Sequence, residues 1–449
     1  MERRKFIQNS MLAATGIGVA GNLPAYGLEK VNKMNPLEKI NVALIGTKNM
    51  GWANLRTFIS FPDVECIALC DIDDKWLYQR AADVEKITGK KPPFLYKDWR
   101  RVMDNKDVDA VIVATPDHWH CLITVAAIEA GKDVYCEKPI GNSIAECEVM
   151  VKAARKHKRI VQVGQWQRSD PHWKDAMDYI GSGKLGHVRS VKTFATAVNQ
   201  GPFPIQPDRP VPDGVDYDMW LGPAPKRAFN PLRFHHEWRF FWDYGSGLAS
   251  DWGVHLLDFA LEGMKAGVPL EVYSSGGKFA YPDDAMETPD TLTSTLKYDR
   301  YNIIWDHACG ISTGLFNRQF GVAYVGELGT LVIDRSGWEV IPQIGVDRKP
   351  RMEPVTLKKV GYTFEGEKLE EFGLKAHVHN FLDSIVSREL PNADIAIGAK
   401  VAKLCQTINI AHRINRPVHW DESKKQFAEA EANMLIRPNY RSPWKFPQY

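Results

Sequence analysis

Much that a chain of 449 residues could carry is missing from this one. No run of five or six like charges occurs, and the formal net charge is only +2. Neither nucleic-acid binding nor attachment to a charged membrane surface is therefore expected. The seven cysteines are odd in number, scattered and never spaced C-x-x-C. That excludes a zinc ribbon and a disulfide scaffold. Cys66, Cys70, Cys121, Cys136 and Cys147 fall in or beside predicted elements and read as buried thiols. There is no internal repeat and no low-complexity block. What remains, 44% hydrophobic and 25% charged residues, is the composition of a soluble globular protein. The length suits two or three domains.

The first 35 residues read as an export signal and linker rather than as folded structure. Arg3-Arg4-Lys5-Phe6-Ile7 is a basic head, and Met11 to Ala20 is a mild apolar run. The run is shorter than the roughly 20 residues that span a bilayer, so no membrane insertion is expected. Arg-Arg-x-Phe-Ile resembles a twin-arginine signal, which carries proteins across already folded. A periplasmic or otherwise exported protein is expected, with Leu23-Pro24-Ala25 as one candidate cleavage point.

From residue 36 to 166 apolar strands alternate with amphipathic helices, which predicts a doubly wound parallel sheet, a Rossmann domain. Ile40–Gly46 is its first strand. Gly46-Thr47-Lys48-Asn49-Met50-Gly51 comes next, a G-x-G-x-x-G in which Lys48 replaces the second glycine. Val64–Asp71 ends in an acid about 20 residues later, where a carboxylate binds the ribose 2′-OH of NAD and repels the 2′-phosphate of NADP. Two more strands, Val108–Pro116 and Lys132–Pro139, end in proline, which offers no N–H to a ladder. They open into Thr115-Pro116-Asp117-His118-Trp119-His120 and into Glu137-Lys138-Pro139. Ligands of open parallel sheets sit at these carboxyl ends.

From 167 to 420 the pattern changes. Close-spaced strands with tight turns predict an α+β domain with a large open, mainly antiparallel sheet, covered on one face by helices near 377–388 and 395–415. An irregular loop holds eight prolines between Pro202 and Pro231; a long ordered loop of this kind is usually functional. In Gly245–Asp258 a glycine-bounded helix start places Asp251 and His255 four residues apart, on one helix face. A carboxylate and an imidazole so spaced suit acid–base work. Residues 421–449 form a tail whose aromatics are expected to pack on the body.

A strand ending in Glu137-Lys138-Pro139, then a glycine-rich Asp251-x-x-x-His255, on a dinucleotide domain followed by an open sheet, resembles the Gfo/Idh/MocA family of glucose–fructose oxidoreductases and inositol dehydrogenases. Thr115–His120 and Trp220-Leu221-Gly222-Pro223 look like its exported, sugar-related members. The resemblance spans about residues 38 to 420. It implies Lys138 as catalytic lysine, with Asp251 and His255 completing a triad. NAD is the expected cofactor, held by Gly46, Lys48, Asn49, Met50, Gly51, Asp71, Thr115, Pro116, His118 and Lys138; the resemblance implies Glu137 at the nicotinamide ribose with His120 near it, and Gln165 beside the nicotinamide. It implies a homo-oligomer paired through the open sheet.

The chemistry expected is hydride transfer from a secondary hydroxyl carbon of a sugar or glycoside to NAD, C3 oxidation to a 3-keto sugar being one form. His255 takes the hydroxyl proton, Asp251 stabilises the imidazolium, and Lys138 stabilises negative charge on oxygen. Trp166, Arg168, His172, Trp238 and Arg239 are candidates for the sugar site, since aromatic faces and guanidinium forks suit hydroxyl-rich rings. A redox-neutral variant keeps NAD and uses a transient ketone for elimination or epimerisation. Two rivals come from other classes. One is a metallohydrolase using His118-x-His120, His235-His236-Glu237 or Asp251-x-x-x-His255. The other is a sugar sensor with a silent dinucleotide fold.

Overall fold

The computed structural model describes residues 39–197, 200–359 and 368–449, the side chains of 357–372 excepted. The expected export segment lies outside the described residues.

Apart from a half-exposed edge run at 94–96, the first sheet is built from short apolar runs that are largely buried on both faces, as a parallel sheet between two helix layers requires. Its elements are β1 (Ile40–Ile45), α1 (Asn49–Phe58), β2 (Val64–Cys70), α2 (Asp74–Thr88), β3 (Phe94–Tyr96), α3 (Arg100–Asp104), β4 (Ala110–Val113), α4 (Asp117–Glu129), β5 (Asp133–Cys136), α5 (Ile144–His157) and β6 (Val161–Val163). The order is β3-β2-β1-β4-β5-β6, all parallel. Strand order reverses between β1 and β4, which opens a crevice at their carboxyl ends. The helices start where the sequence supplies caps. Asp73 accepts from the Lys75 N–H at the head of α2. Ser143 and Glu146 form a reciprocal box at the head of α5.

After α6 (Pro171–Gly181) come β7 (Val188–Ala197), α7 (Tyr217–Leu221), α8 (Gly247–Asp251) and α9 (Gly253–Gly263). Seven further strands complete the second sheet: β8 (Glu271–Gly277), β9 (Thr291–Lys297), β10 (Asn302–Cys309), β11 (Phe320–Gly326), β12 (Gly329–Asp334), β13 (Gly337–Pro342) and β14 (Val355–Lys359). With β7 they take the order β14-β13-β12-β11-β7-β10-β9-β8. The stretch 320–342 divides into three of these strands at two tight turns. The sheet is mixed, because β7 pairs parallel with β10 while its other neighbour, β11, is antiparallel. On β9 the buried Leu292, Ser294 and Leu296 alternate with half-exposed or exposed threonines and Lys297, so one face packs and the other is open.

The two late helices, α10 (Lys368–Ser387) and α11 (Ile395–Ile414), part company. α11 lies against β8 and α9, as expected. α10 instead returns to the first sheet, where Phe381 meets Phe58 and Tyr135 edge-on at 5.9 Å. His377 Nε2 lies 2.9 Å from the Val163 carbonyl. A helix read by periodicity alone carries no label for which sheet it covers. The tail packs on its own chain: Tyr440 donates to Glu146 at 2.6 Å, and the Trp444 ring lies 4.8 Å from that of Trp119. All seven cysteines are free and buried.

Candidate active site

The crevice at the switch point is shaped by two glycines. Gly46 ends β1 at φ +86, and a Cβ there would sit 2.5 Å from the Ala114 carbonyl oxygen. A Cβ on Gly51 would sit 1.9 Å from the Gly46 oxygen. Only glycine allows this close approach of α1 to the strand ends. Lys48, Asn49 and Met50, at the start of α1, line the crevice, and a helix N-terminus is a ready anion site for a pyrophosphate. Lys48 stands at the N-cap in extended conformation and makes no side-chain cap. Its ammonium lies 4.9 Å from the Trp76 ring, so it leaves the loop open in place of the missing glycine. Burial lowers its pKa, with Asp73 and Asp71 opposing.

Asp71 closes the end of β2. One oxygen accepts from the N–H and hydroxyl of Thr47, both at 2.8 Å, and the other from the Asp73 N–H at 3.1 Å. It therefore braces the glycine loop while lining the crevice. Burial raises its carboxyl, and those hydrogen bonds pull the other way. Glu137 is buried at the end of β5, its oxygens accepting from Asn54 Nδ2 at 2.8 Å and the Lys138 N–H at 3.1 Å. Gly164 makes room for it, since a Cβ there would approach its carboxylate to 2.7 Å. His120 spans the ends of two strands, with ring nitrogens 2.8 Å from the Thr115 carbonyl and 2.7 Å from that of Pro139; burial pushes it down to about 4. Gly46, Lys48, Asn49, Met50, Asp71, Thr115, Pro116, His120, Glu137 and Lys138 all line this one crevice. The arrangement fits a dinucleotide: a glycine turn, a helix N-terminus, a strand-end acid and a deep wall of strand ends.

A second cleft adjoins it and shares Met50, Glu137, Lys138 and Arg239. At the junction Lys138 Nζ donates to Asp251 Oδ1 at 2.6 Å and to the Asp251 carbonyl at 3.0 Å. Arg239 Nε lies 3.4 Å from the same carboxylate oxygen. Burial alone would raise the Asp251 carboxyl, but the charges of Lys138 and Arg239 outweigh it and hold the group well below the usual range. His255 is buried and its Nδ1 has no hydrogen-bond partner. Burial, with Lys138 and Arg335 adding to it, holds the imidazole well below its ordinary pKa and hence neutral. Asp251 and His255 do not share a continuous helix face, as the spacing suggests. The helix breaks at Trp252, Asp251 closing α8 and His255 lying in α9. The carboxylate turns to Lys138 rather than to the imidazole.

Several expected residues lie elsewhere. Trp166 and Arg239 line the second cleft, and Trp238 the nucleotide crevice. Arg168 instead forms a buried pair with Asp258, at 2.6 and 2.8 Å, and reaches Glu262 at 3.2 Å. His172 is buried between Asp170 Oδ1 at 2.8 Å and the Asp334 carbonyl at 3.0 Å. Arg168 thus ties the turn before α6 to α9, and His172 ties α6 to β12; neither lines either cleft. Gln165 lines neither cleft; its amide donates to the Val254 carbonyl at 3.2 Å. His118 turns away from the crevice into an aromatic cluster, with Nε2 3.0 Å from the Trp220 carbonyl and the Tyr244 ring 5.3 Å away. Gly51 acts through loop geometry and does not line the crevice.

The metal reading loses its ligand set on these positions. His118 and His120 face different carbonyls, His235 Nε2 faces Asp73 at 2.8 Å, and His236 pairs with Glu237. Among the described residues no three His, Cys, Asp or Glu side chains gather to hold a metal.

Other groups at the site carry no local signal. Arg335, in the β12–β13 turn, reaches the second cleft with its guanidinium 4.9 Å from the Trp166 ring and 5.1 Å from Trp252. Asp117 is buried at the head of α4 and lines the crevice, its carboxyl pushed well up by burial. Met219, Trp220 and His235 also line the crevice.

Comparison with known proteins bears on this site. Residues 40–165 match the family model described as the oxidoreductase family NAD-binding Rossmann fold, and residues 199–276 match that of the family's C-terminal α/β domain. An inositol 2-dehydrogenase of Salmonella paratyphi B is 32% identical over 149 residues, 33% of this chain and 43% of that protein. A glycosyl hydrolase family 109 protein of Stenotrophomonas maltophilia is 33% identical over 152 residues, 32% of this chain and 31% of that one. The chain spans about half the length of the curated relatives it matches. A solved levoglucosan dehydrogenase, in complex with NADH, superposes with a TM-score of 0.61 at 20% identity, covering 85% of this chain and 99% of that one. It shares the fold. With an NAD-binding Rossmann domain joined to the partner α/β domain, the chain belongs to the Gfo/Idh/MocA oxidoreductase family.

Proposed function

We propose that the protein is an NAD-dependent oxidoreductase acting on a secondary hydroxyl of a sugar or glycoside. The observation that carries this reading is the junction of the two clefts, where the Lys138 ammonium, the ionised Asp251 and the neutral His255 meet. NAD bound in the crevice supplies the hydride acceptor. The helix N-terminus at Lys48 to Met50 holds the pyrophosphate, and Asp71 the adenosine ribose, which favours NAD over NADP.

His255 is the base: its unpartnered Nδ1 and uncharged ring leave it able to take the hydroxyl proton. Lys138 hydrogen-bonds the reacting oxygen and stabilises the negative charge that grows there. Asp251 positions Lys138, and its charge stabilises the imidazolium through space. Trp166 and Arg335 form a shelf that orients the ring. The inositol dehydrogenase relative supports a polyol or sugar as substrate. C3 oxidation to a 3-keto product is the form we favour. The Arg3-Arg4 segment supports an exported, periplasmic location, and the open face of the second sheet supports a homo-oligomer.

A redox-neutral cycle is the second reading, favoured by the glycosyl hydrolase relative. One experiment tests both. The purified protein is given NAD with inositols, free sugars and glycosides, and NADH absorbance is followed beside product formation. NADH formed in step with product supports the dehydrogenase. Product without NADH supports the neutral cycle. If no sugar is turned over, and Lys138→Ala binds sugars as the wild type does, both fall and the sensor reading stands.

A further inference from the structure

The turn from β4 into α4 carries a carboxyl that the chain itself does not use. Asp117, at the head of α4, is 5% exposed, and it lines the nucleotide crevice but not the second cleft. Among the described residues nothing hydrogen-bonds its side chain. Burial pushes the group well up, and the charges of Arg239 and Lys138 pull the other way. Buried polar side chains are nearly always hydrogen-bonded, so one left over in a crevice wall marks a place for a ligand. Two residues earlier the Thr115 hydroxyl, on the same crevice, is also buried and also without a partner.

The charges that reach Asp117 show which end of the crevice it faces. Arg239, Lys138 and Asp251 all act on it, and they stand at the junction with the second cleft. Asp117 therefore faces the nicotinamide half of a bound nucleotide, not the adenosine half at Asp71. The neighbouring polar side chains at that end are committed. His120 has a carbonyl at each ring nitrogen. Glu137 accepts from Asn54 and from the Lys138 N–H. Lys138 and Arg239 both meet Asp251. Gln165, expected beside the nicotinamide, lines neither cleft.

A nicotinamide carboxamide presents two N–H donors and a carbonyl acceptor. A carboxyl accepts at either oxygen, and a threonine hydroxyl donates. The two sets are complementary, whereas a phosphate offers no donor to a carboxylate. We propose that Asp117 holds the nicotinamide ring by accepting a hydrogen bond from the carboxamide NH2, with the Thr115 hydroxyl donating to the carboxamide oxygen. Such a tie sets the rotation of the ring about its glycosidic bond, and so which face it turns to Lys138 and His255. The assignment rests on the cofactor reading of the crevice.

The test is calorimetric binding, to the full-length protein, of NAD and of its acetylpyridine analogue, in which a methyl group replaces the carboxamide NH2. The wild type is expected to bind NAD about ten-fold more tightly, the weight of one hydrogen bond whose buried acceptor is otherwise left unpaired. Asp117→Leu, close in shape but without an acceptor, is expected to bind NAD about ten-fold more weakly and the two nucleotides alike. Asp117→Ala carries the same expectation should the leucine variant not fold. Asp117→Asn keeps a carbonyl acceptor and is expected to keep most of the preference. Thr115→Val should weaken both nucleotides in the same proportion, since the carbonyl oxygen is common to them. Equal affinity of the wild type for NAD and the analogue overturns the proposal. So does a preference that survives undiminished in Asp117→Leu or Asp117→Ala. A wild-type protein that binds neither nucleotide overturns the cofactor reading itself, and this assignment with it.

Discussion

His255 and Asp251 are held in their working protonation states by opposite balances. Around His255 burial dominates and is reinforced by two cations; around Asp251 two cations overcome burial. The neutral, base-competent imidazole therefore persists below its ordinary pKa. The acid limb of the kcat/KM profile is expected below pH 6.5, the ordinary imidazole value. A limb at or above that value would contradict the assignment. His255→Ala should lower kcat by about 10² to 10⁴, the usual weight of a positioned base. Lys138→Ala should do likewise with little change in NADH affinity, which steady-state kinetics and nucleotide fluorescence check together. These three residues were legible because each follows a strand stop or a glycine-rich helix start. Arg168 and His172 were not. A guanidinium suits a sugar or a carboxylate equally well, and the carboxylate of Arg168 belongs to Asp258, 90 residues away.

At the scale of elements, most of the alternation of strand and helix in the first domain was readable because β4, β5 and β6 are short, fully buried runs and β1 and β2 nearly so; β3, three half-exposed residues at the sheet edge, carried no such signal. Pairing in the second sheet was not readable, since the parallel contact of β7 with β10 joins segments more than 100 residues apart and no periodicity encodes it. The break at Trp252 was equally hidden, because four-residue spacing is the same in one helix as across two. Gly51→Ala tests the glycine turn. Its Cβ would overlap the Gly46 carbonyl, so loss of NADH binding with destabilisation of about 1–3 kcal/mol is expected in calorimetry. Glu146 tests the head of α5. Burial pushes its carboxyl up to about 7, against hydrogen bonds from Tyr440, Ser143 and Asn142. A raised folded pKa means stability that is fully present below the unfolded value, near 4.5, and is lost as pH rises to about 7. The difference amounts to roughly 3 kcal/mol. Urea midpoints should fall between pH 5 and 8 in the wild type and change less in Glu146→Gln; equal slopes would refute this.

At the scale of the molecule, the tail and α10 both return from the far end of the chain to the Rossmann sheet, so nucleotide binding is expected to stabilise the whole. NADH at about 100 times its Kd should add about 2.7 kcal/mol to unfolding, seen as one shifted transition rather than two. The open face of the second sheet invites a second copy, and Ile304→Glu on β10 should lower the mass found by light scattering. The seven cysteines have a further consequence. Each is buried and each thiol is pushed up, that of Cys66 to about 12 and that of Cys147 higher still. The nucleophilic thiolate is therefore scarce and shielded in the native state. Alkylation of this protein must wait for the chain to open, and its rate is a clock that counts excursions out of the native fold. Five of its hands lie in the Rossmann half and two beyond it, so the order in which they are modified records which part of the chain opens first.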